Sequence, residues 1–170
     1  MITAELKDAD DREVEIVSTM PPGLVLFGKT DLAKAMLVNK LLQRNILPLP
    51  TEQTNDQSEC NGRWRTIIFQ HGVKSRIFSI NYSTKELHKK RSWKNTVPND
   101  VLEINEDDNP VVIQTNHPLL EAGAKLIVSS CWSNPSDYQK KYEFYTQNII
   151  PIIIYSLSGN QFSELVSCLC

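Results

Sequence analysis

The residues most suited to chemistry lie near the start of the chain, in the stretch GLVLFGKT at residues 23–30. This stretch satisfies the pattern G-x-x-x-x-G-K-[ST], in which backbone N–H groups cradle the phosphates of a nucleotide and the lysine pairs with them. Such a loop must follow a strand and begin a helix. Here the variable residues, Leu-Val-Leu-Phe, are themselves strand-forming, and an extended strand cannot curl round a phosphate. The literal match is therefore better explained as a buried strand.

A second frame, GKTDLAKA at residues 28–35, lies where such a loop belongs, after the strand and at the start of a helix. Backbone N–H groups and the helix dipole favour an anion there. The frame is degenerate, because Ala33 replaces a glycine and Ala35 replaces the hydroxyl residue that would hold Mg²⁺. The candidate nucleotide-binding residues are Gly28, Asp31, Lys34 and Ala35.

Asp31 gives the same segment a competing interpretation. Its carboxylate could cap the helix N-terminus and occupy the N–H groups that a phosphate would need. The segment would then be a capped helix of the core, with Lys34 in solvent. We weigh this interpretation above catalytic nucleotide binding and level with weak, Mg²⁺-independent binding of GTP or ATP.

The remaining chain predicts strands alternating with helices. Apolar runs indicate buried strands, and runs of helix formers with an apolar face indicate helices. The predicted buried strands are residues 23–28, 125–130 and 151–156. The predicted helices are residues 32–44, 111–123 (with a break or first turn at His117–Pro118) and 137–149. Residues 64–70 and 76–82 flank a short glycine-containing link and predict a β-hairpin.

This order predicts an α/β fold with a mostly parallel sheet covered on both faces and an antiparallel hairpin at one edge. The layout resembles a three-layer GTPase-like domain of the P-loop NTPase type that ends before its last strand and helix. We expect a charged lead-in over residues 1–20 and a single domain over residues 21–170. Within that domain, residues 83–110 are expected to be a long polar insertion or loop.

The spacing of Lys34, Asn39, Leu41–Leu42 and Leu47–Pro48 resembles the opening of dynamin-like GTPases, in which G-x4-G-K-S precedes an Asn, a Leu-Leu pair and a Leu-Pro at matching intervals. Within that group, further landmarks resemble the N-terminal, non-kinase region of the dual serine/threonine and tyrosine ("dusty") protein kinases. These landmarks are residues 41–48, 71–80, 92–108, 116–123 and 149–157.

The resemblance implies two further GTPase motifs, and neither is intact. We place D-x-x-G at the end of the second hairpin strand, where residues 79–84 contain neither Asp nor Gly. We place N-K-x-D at residues 155–160, which contain neither Lys nor Asp. Phosphoryl transfer depends on charge neutralisation by lysine and Mg²⁺, so we expect no catalytic residues and no enzyme activity. Kinase motifs are also absent from the sequence.

Composition narrows the remaining choices. A net charge of −2 argues against a general nucleic-acid surface, and no apolar run is long enough to span a membrane. The four cysteines have neither zinc-site spacing nor the density of a disulfide scaffold, so we expect no metal and a reducing, cytoplasmic setting. A metabolic α/β enzyme using Cys131 or His117 is a third, weaker interpretation.

The sequence therefore predicts a regulatory or protein-binding pseudo-GTPase domain without a cofactor, forming the N-terminal part of a dual-specificity protein kinase. Its expected partners are proteins or other domains of the parent chain. The alternative is a slow domain that binds GTP or ATP with little hydrolysis.

Overall fold

The computed structural model describes residues 20–28, 30–49, 64–80, 87–104, 109–130, 142–143, 146–147 and 149–156. The strands are β1 (Pro22–Gly28), β2 (Ile67–His71), β3 (Arg76–Ile80), β4 (Leu87–Ser92), β5 (Val111–Thr115), β6 (Lys125–Val128) and β7 (Ile150–Ser156). The helices are α1 (Asp31–Leu41), α2 (Asn99–Leu102) and α3 (Pro118–Glu121).

The described strands form one seven-stranded sheet in the order β4-β3-β5-β2-β6-β1-β7. Strand β1 runs parallel to both of its neighbours, β6 and β7, and β2 runs parallel to β5. The pairings β2–β6, β3–β5 and β3–β4 are antiparallel. The α/β prediction is confirmed, but the sheet is mixed, and the expectation that it would be mostly parallel is wrong.

The predicted hairpin between residues 64–70 and 76–82 is also wrong in its pairing. Both strands form, as β2 and β3, but β5 lies between them, parallel to β2 and antiparallel to β3. The run Val111–Thr115, part of the helix predicted over 111–123, is this inserted strand. Its β-branched residues suit a pleated interior strand, and Val111, Val112 and Ile113 are buried.

Gly72 makes the insertion of β5 possible. Its N–H donates to the Thr115 carbonyl at 3.2 Å, so the link between β2 and β3 crosses the end of β5 closely. A Cβ atom at Gly72 would lie 2.8 Å from the Cβ of Gln114, which is too close for two real carbon atoms. The link therefore needs a residue without a side chain at this position.

Two other predicted segments differ from the structure. The region 83–110, expected to be a polar insertion or loop, contains the edge strand β4 and the short helix α2. Strand β7 forms as predicted over 151–156, but it is an edge strand with exposed side chains rather than a buried one. The predicted helix over 137–149 lies mostly outside the described residues, as do the lead-in 1–19 and the segment 157–170.

The core has two parts, because successive side chains of a strand point to opposite faces of the sheet. On one face, Leu26 of β1 and Leu126 of β6 join a large cluster with Ala35 and Val38 of α1. On the other face, Val25 and its neighbours join a smaller cluster with Ile149. Helix α1 therefore forms one layer on the sheet, and the opposite face is also apolar.

Helix α1 ends in a fixed turn. Leu42 is its C-cap, and Gln43 follows with a φ of 49°, a left-handed conformation that is uncommon for residues other than glycine. The helix was predicted to continue to Arg44. The Asn39 side chain holds the turn, because its Nδ2 donates to the Leu47 carbonyl at 2.7 Å and its Oδ1 accepts from the Leu47 N–H at 2.8 Å. Asn39 and Leu47 therefore act as one structural unit.

The close approach at Gly72 generates a prediction. The Gly72→Ala substitution should lower the free energy of unfolding by about 1–3 kcal/mol, because the new methyl group forces Gln114 and β5 to shift. Denaturant unfolding of the purified chain measures the change. Val73→Ala is the matched control in the same link, since Val73 is 83% exposed and its loss should change stability by less than about 0.5 kcal/mol. Equal effects of both substitutions would contradict the position assigned to β5.

Candidate functional site at the start of helix α1

The N-terminus of α1 follows β1 after a short link, and Thr30 caps it. Thr30 has extended backbone angles, and its Oγ1 accepts a hydrogen bond from the Ala33 N–H at 3.3 Å. The expectation that Asp31 would be the N-cap is therefore wrong. Asp31 is the first residue of the helix, and its carboxylate contacts Lys34 and the Trp64 backbone instead.

Lys34 is fully buried, which contradicts the interpretation that placed it in solvent. Its Nζ lies 3.0 Å from Asp31 Oδ1, one helical turn earlier, and donates to the Ser129 carbonyl at 2.9 Å. The exposed fraction of Lys34 is 0%, and that of Asp31 is 6%. The two residues form a buried ion pair, which we call the Lys34–Asp31 pair.

Asp31 also connects the helix to the next part of the chain. Its Oδ2 accepts a hydrogen bond from the backbone N–H of Trp64 at 3.1 Å. Trp64 is itself buried and precedes β2. The Lys34–Asp31 pair therefore joins three separate segments: the start of α1, the segment before β2, and the residue that follows β6.

The energetics of burial explain this arrangement. An ammonium group taken out of water loses several kcal/mol of solvation, which only an opposite charge and hydrogen bonds can offset. The carboxylate of Asp31 supplies the charge, and the Ser129 carbonyl supplies a further acceptor. Each partner is therefore costly to remove alone, because the other would remain buried without compensation.

Two groups that a phosphate at this helix end would use have partners within the chain. The amino group of Lys34 faces Asp31 and Ser129. The N–H of Ala33 donates to the Thr30 side chain. A carboxylate of the protein itself therefore stands beside the lysine that the second frame would pair with a phosphate.

The remaining candidate residues lie apart from this pair. Gly28 is the last residue of β1 and lies opposite Ser156 of β7 in the sheet register. Ala35 is fully buried and belongs to the apolar cluster under α1. The structure thus brings Asp31 and Lys34 together, while Ala35 has a packing role.

The residues beside Lys34 follow β6, and the sequence did not identify them. Because β6 is the neighbour of β1, its carboxyl end meets the start of α1. Ser129 and Ser130 lie there, and the Ser130 N–H and hydroxyl both contact Thr66 Oγ1 at 3.4 Å. Ligand groups at the carboxyl ends of adjacent parallel strands are a general feature of α/β sheets. This feature would have pointed to Ser129 and Ser130 only after the strand order was known, because the sequence alone does not show that β6 pairs with β1.

The expected position of D-x-x-G at residues 79–84 is therefore wrong. It follows β3, and the strands β5, β2 and β6 lie between β3 and β1. The comparable position follows β6, where the described residues carry hydroxyl groups and no carboxylate. The expected N-K-x-D position at 155–160 lies mostly outside the described residues.

The other chemical candidates do not form a second site among the described residues. His117 is the N-cap of α3, and its Nδ1 accepts from the Leu119 N–H at 3.2 Å, as expected for a cap. Cys131 lies outside the described residues. In the described ranges, no cluster of His, Cys, Asp and Glu is suited to a metal ion, and no helix is long and apolar enough to span a membrane.

The Lys34–Asp31 pair generates a second prediction. Lys34→Met should lower the free energy of unfolding by about 3–5 kcal/mol, because it leaves the Asp31 carboxylate buried without a cation. The double substitution Asp31→Asn/Lys34→Met removes both charges and keeps an acceptor for the Trp64 N–H. It should recover more than about half of that loss.

Denaturant unfolding of the variants measures both effects. Lys40→Met is the matched control, since Lys40 is an exposed lysine on the same helix. Its substitution should change stability by less than about 0.5 kcal/mol. A Lys34→Met effect as small as that of Lys40→Met would show that the buried pair does not form.

Comparison with known proteins identifies relatives that match nearly all of this chain. It is 26% identical to a dual serine/threonine and tyrosine protein kinase of Strongylocentrotus purpuratus, over 94% of this chain and 20% of the kinase. It is 29% identical to the kinase of the same name from Pimephales promelas, over 92% of this chain and 19% of the kinase. The chain spans about a fifth of the length of these curated relatives. No protein-family model matches it.

Among solved structures, the fold is similar to that of a chain from an oligomerised bacterial dynamin pair described as sensing and tethering membranes. The TM-score is 0.53 at 14% sequence identity, over 91% of this chain and 24% of the dynamin chain. This likeness concerns the fold alone and is consistent with a GTPase-like α/β domain. The chain is thus similar to a region of dual serine/threonine and tyrosine protein kinases, and its fold is dynamin-like.

Proposed function

We propose that this chain is a regulatory, protein-binding pseudo-GTPase domain of a dual-specificity protein kinase. The observation that carries the proposal is the buried Lys34–Asp31 pair, which puts a carboxylate of the chain beside the lysine of the degenerate phosphate loop. The dynamin-like fold and the kinase-named relatives support the wider context.

The charges at the start of α1 disfavour the binding of a nucleotide. In a functional loop the lysine offers an uncompensated positive charge to the phosphates. Here Asp31 lies 3.0 Å from Lys34 Nζ and compensates that charge already. A phosphate would have to displace the Asp31 carboxylate or bind next to it. In the second case two negative charges would repel each other with little water between them to screen the repulsion. Either route weakens binding of a nucleotide.

Among the described residues, the surroundings of the pair also lack the groups that hold Mg²⁺. Ala35 stands where the loop would supply a hydroxyl, and it lies in the apolar core. Ser129 and Ser130 stand at the carboxyl end of β6, where a metal-supporting carboxylate would be needed. Because phosphoryl transfer relies on Mg²⁺ and lysine to neutralise developing charge, we infer that the domain does not hydrolyse nucleotides.

A domain that does not hydrolyse nucleotides would act in its parent protein by binding other proteins or domains. The relatives are kinases about five times longer than this chain, so the proposed partners are proteins or other domains of the parent chain. The net charge of −2 makes nucleic acid an unsuitable partner. The proposed setting is the cytoplasm, in keeping with four cysteines that form no disulfide pattern in the sequence.

One observation favours a second candidate function, slow nucleotide binding without efficient hydrolysis. The Lys34 side chain points inward at a helix N-terminus, where a phosphate-pairing lysine also lies. If Asp31 were to move aside, the lysine would become available to an anion. Binding of this kind would not need Mg²⁺.

Thermal unfolding with nucleotide distinguishes the two functions. The purified chain should show the same melting temperature with and without millimolar GTP or ATP, whether or not Mg²⁺ is added. A ligand present at 100 times its dissociation constant would add about 2.7 kcal/mol and raise the melting temperature by several degrees. Asp31→Asn removes the competing charge and keeps an acceptor for Trp64, so it tests whether the carboxylate alone prevents binding.

The controls use variants that avoid leaving a single buried charge. Asp31→Asn/Lys34→Met lacks the lysine charge without leaving a lone buried carboxylate, and Lys40→Met retains the loop unchanged. A Mg²⁺-independent shift in the unmodified chain that persists in Lys40→Met and disappears in the double variant would establish nucleotide binding. That result would replace the regulatory pseudo-GTPase with the second candidate.

A further inference from the structure

Ser92, the last residue of β4, combines an accessible hydroxyl with a basic sequence around it. Its side chain is exposed, and its hydroxyl makes no hydrogen bond within the part of the chain that the structure describes. Lys89, Lys90 and Arg91 directly precede it, and Lys94 follows two residues later. Between residues 87 and 98 the sequence contains no acidic residue. Ser92 is therefore a free hydroxyl in a stretch of uncompensated positive charge.

This charge pattern is of the kind that protein kinases read in a substrate. Kinases discriminate between substrates partly by complementary charge. A kinase with an acidic substrate cleft favours a serine flanked by lysine and arginine, since the flanking cations supply the attraction. The order Lys-Lys-Arg-Ser-Trp-Lys at residues 89–94 places basic residues on both sides of the Ser92 hydroxyl.

The fold adds a further cation beside Ser92. In the antiparallel pairing of β4 with β3, Ser92 lies directly opposite Arg76. Residues directly opposite each other share one face of the sheet, with Cβ atoms about 4.5–5.5 Å apart. Among the described residues, Arg76 forms no ion pair with an acidic side chain. Its guanidinium group is therefore available to a new anion on Ser92.

The acidic residue that contacts β4 belongs to the other face of the strand. Successive side chains of a strand point to opposite faces, so Arg91 points away from the face of Ser92. Arg91 is the residue that contacts Asp100, with 3.7 Å between its Nη1 and Asp100 Oδ2. A negative group on Ser92 would therefore face the Arg76 guanidinium and not the Asp100 carboxylate.

The pairing of β4 with β3 is suited to local opening. It shifts register between Ile77 and Ser79, and such a shift disrupts the hydrogen-bond ladder. Segments with irregular backbone hydrogen bonds and little apolar burial open at low free-energy cost. The chain is anchored directly after Ser92, because Trp93 is buried in the larger core cluster. An enzyme could thus reach the residues before Trp93 while the core stays packed.

We propose that Ser92 is a phosphorylation site for a serine/threonine kinase that selects basic residues, and that Arg76 pairs with the added phosphate. In the transfer, Ser92 Oγ forms a bond to the γ-phosphorus of ATP, and the bond from this phosphorus to the β,γ-bridging oxygen breaks. ADP leaves with the electron pair of that bond, and the hydroxyl proton passes to the catalytic aspartate of the kinase. This inference does not depend on the proposed function.

The phosphate changes how β4 is held. Phosphoserine carries about −1.5 to −2 charges at pH 7, and an arginine can bind it through two parallel charge-assisted hydrogen bonds. Because Ser92 and Arg76 belong to different strands, their pairing joins β4 to β3 next to the register shift. Phosphorylation therefore stabilises the strand pair that is irregular before the modification.

Phosphorylation of the full chain in vitro tests the site. The chain is incubated with ATP, Mg²⁺ and the catalytic fragment of protein kinase C, a kinase that selects basic flanking residues. Mass spectrometry should locate the phosphate on Ser92, and Ser92→Ala should abolish it. Ser75→Ala, in the neighbouring link between β2 and β3, is the matched control and should leave it unchanged. Absence of phosphate from Ser92 would overturn the proposal.

The basic residues are tested by the initial rate of transfer. Lys89→Gln/Lys90→Gln should lower the rate at Ser92 by about tenfold or more, because the kinase loses two of the charges that it reads. Lys40→Gln removes an exposed lysine of α1 and should leave the rate unchanged. Equal rates for the two variants would show that the charge pattern does not select Ser92.

Thermal unfolding tests the role of Arg76. The phosphorylated chain should melt about 2–4 °C above the unmodified chain, and Arg76→Gln should remove this increase. Lys74→Gln, at an exposed position in the preceding link, should retain it. Each comparison joins two forms of the same variant, so the effect of the substitution itself on stability cancels. An unchanged or lower melting temperature on phosphorylation, or an increase that persists in Arg76→Gln, would overturn the pairing.

Discussion

The buried ion pair between Lys34 and Asp31 is the constraint on which the arrangement of this domain depends. A fully buried lysine cannot remain charged without compensation, and both Asp31 and the Ser129 carbonyl contribute to it. Because Asp31 also accepts from Trp64, the pair fixes the start of α1 against the strand neighbouring β1 and against the chain that enters β2. The start of α1 is thus held to two other segments of the chain by its own buried charges.

In the proposed pseudo-GTPase, this segment would keep the shape of a phosphate-binding loop without its ligand. The strand, the helix N-terminus and the lysine remain, and the turn after the helix is held by Asn39 and Leu47. Lys34, Asn39 and Leu47 carry the sequence resemblance to dynamin-like GTPases. Asn39 and Leu47 have a structural role, because their hydrogen bonds hold the turn after α1. A sequence signature that persists for folding reasons is weak evidence for the chemistry with which it was first associated.

The sequence predicted the structure correctly where the local pattern of residues determines which element forms. Strand β1, helix α1 and strand β6 follow from apolar runs and helix formers, and Pro118 marks the first turn of α3. Predictions from the sequence were wrong where contacts between distant segments determine the strand order. A short link between two strands predicts a hairpin, but β5, from later in the chain, lies between β2 and β3. The same failure misplaced the site, because Ser129 became a neighbour of Lys34 only through the pairing of β1 with β6.

The position of β1 has a consequence for how the chain is made. It is the first described strand, but its sheet partners, β6 and β7, are the last two. During synthesis its apolar residues must wait for β6 and β7 to emerge before they can be paired. Exposed apolar segments of this kind are prone to aggregation and are typical substrates for chaperones. Strand β1 therefore cannot be paired as soon as it is made, and both of its sides are paired only after β7 has emerged.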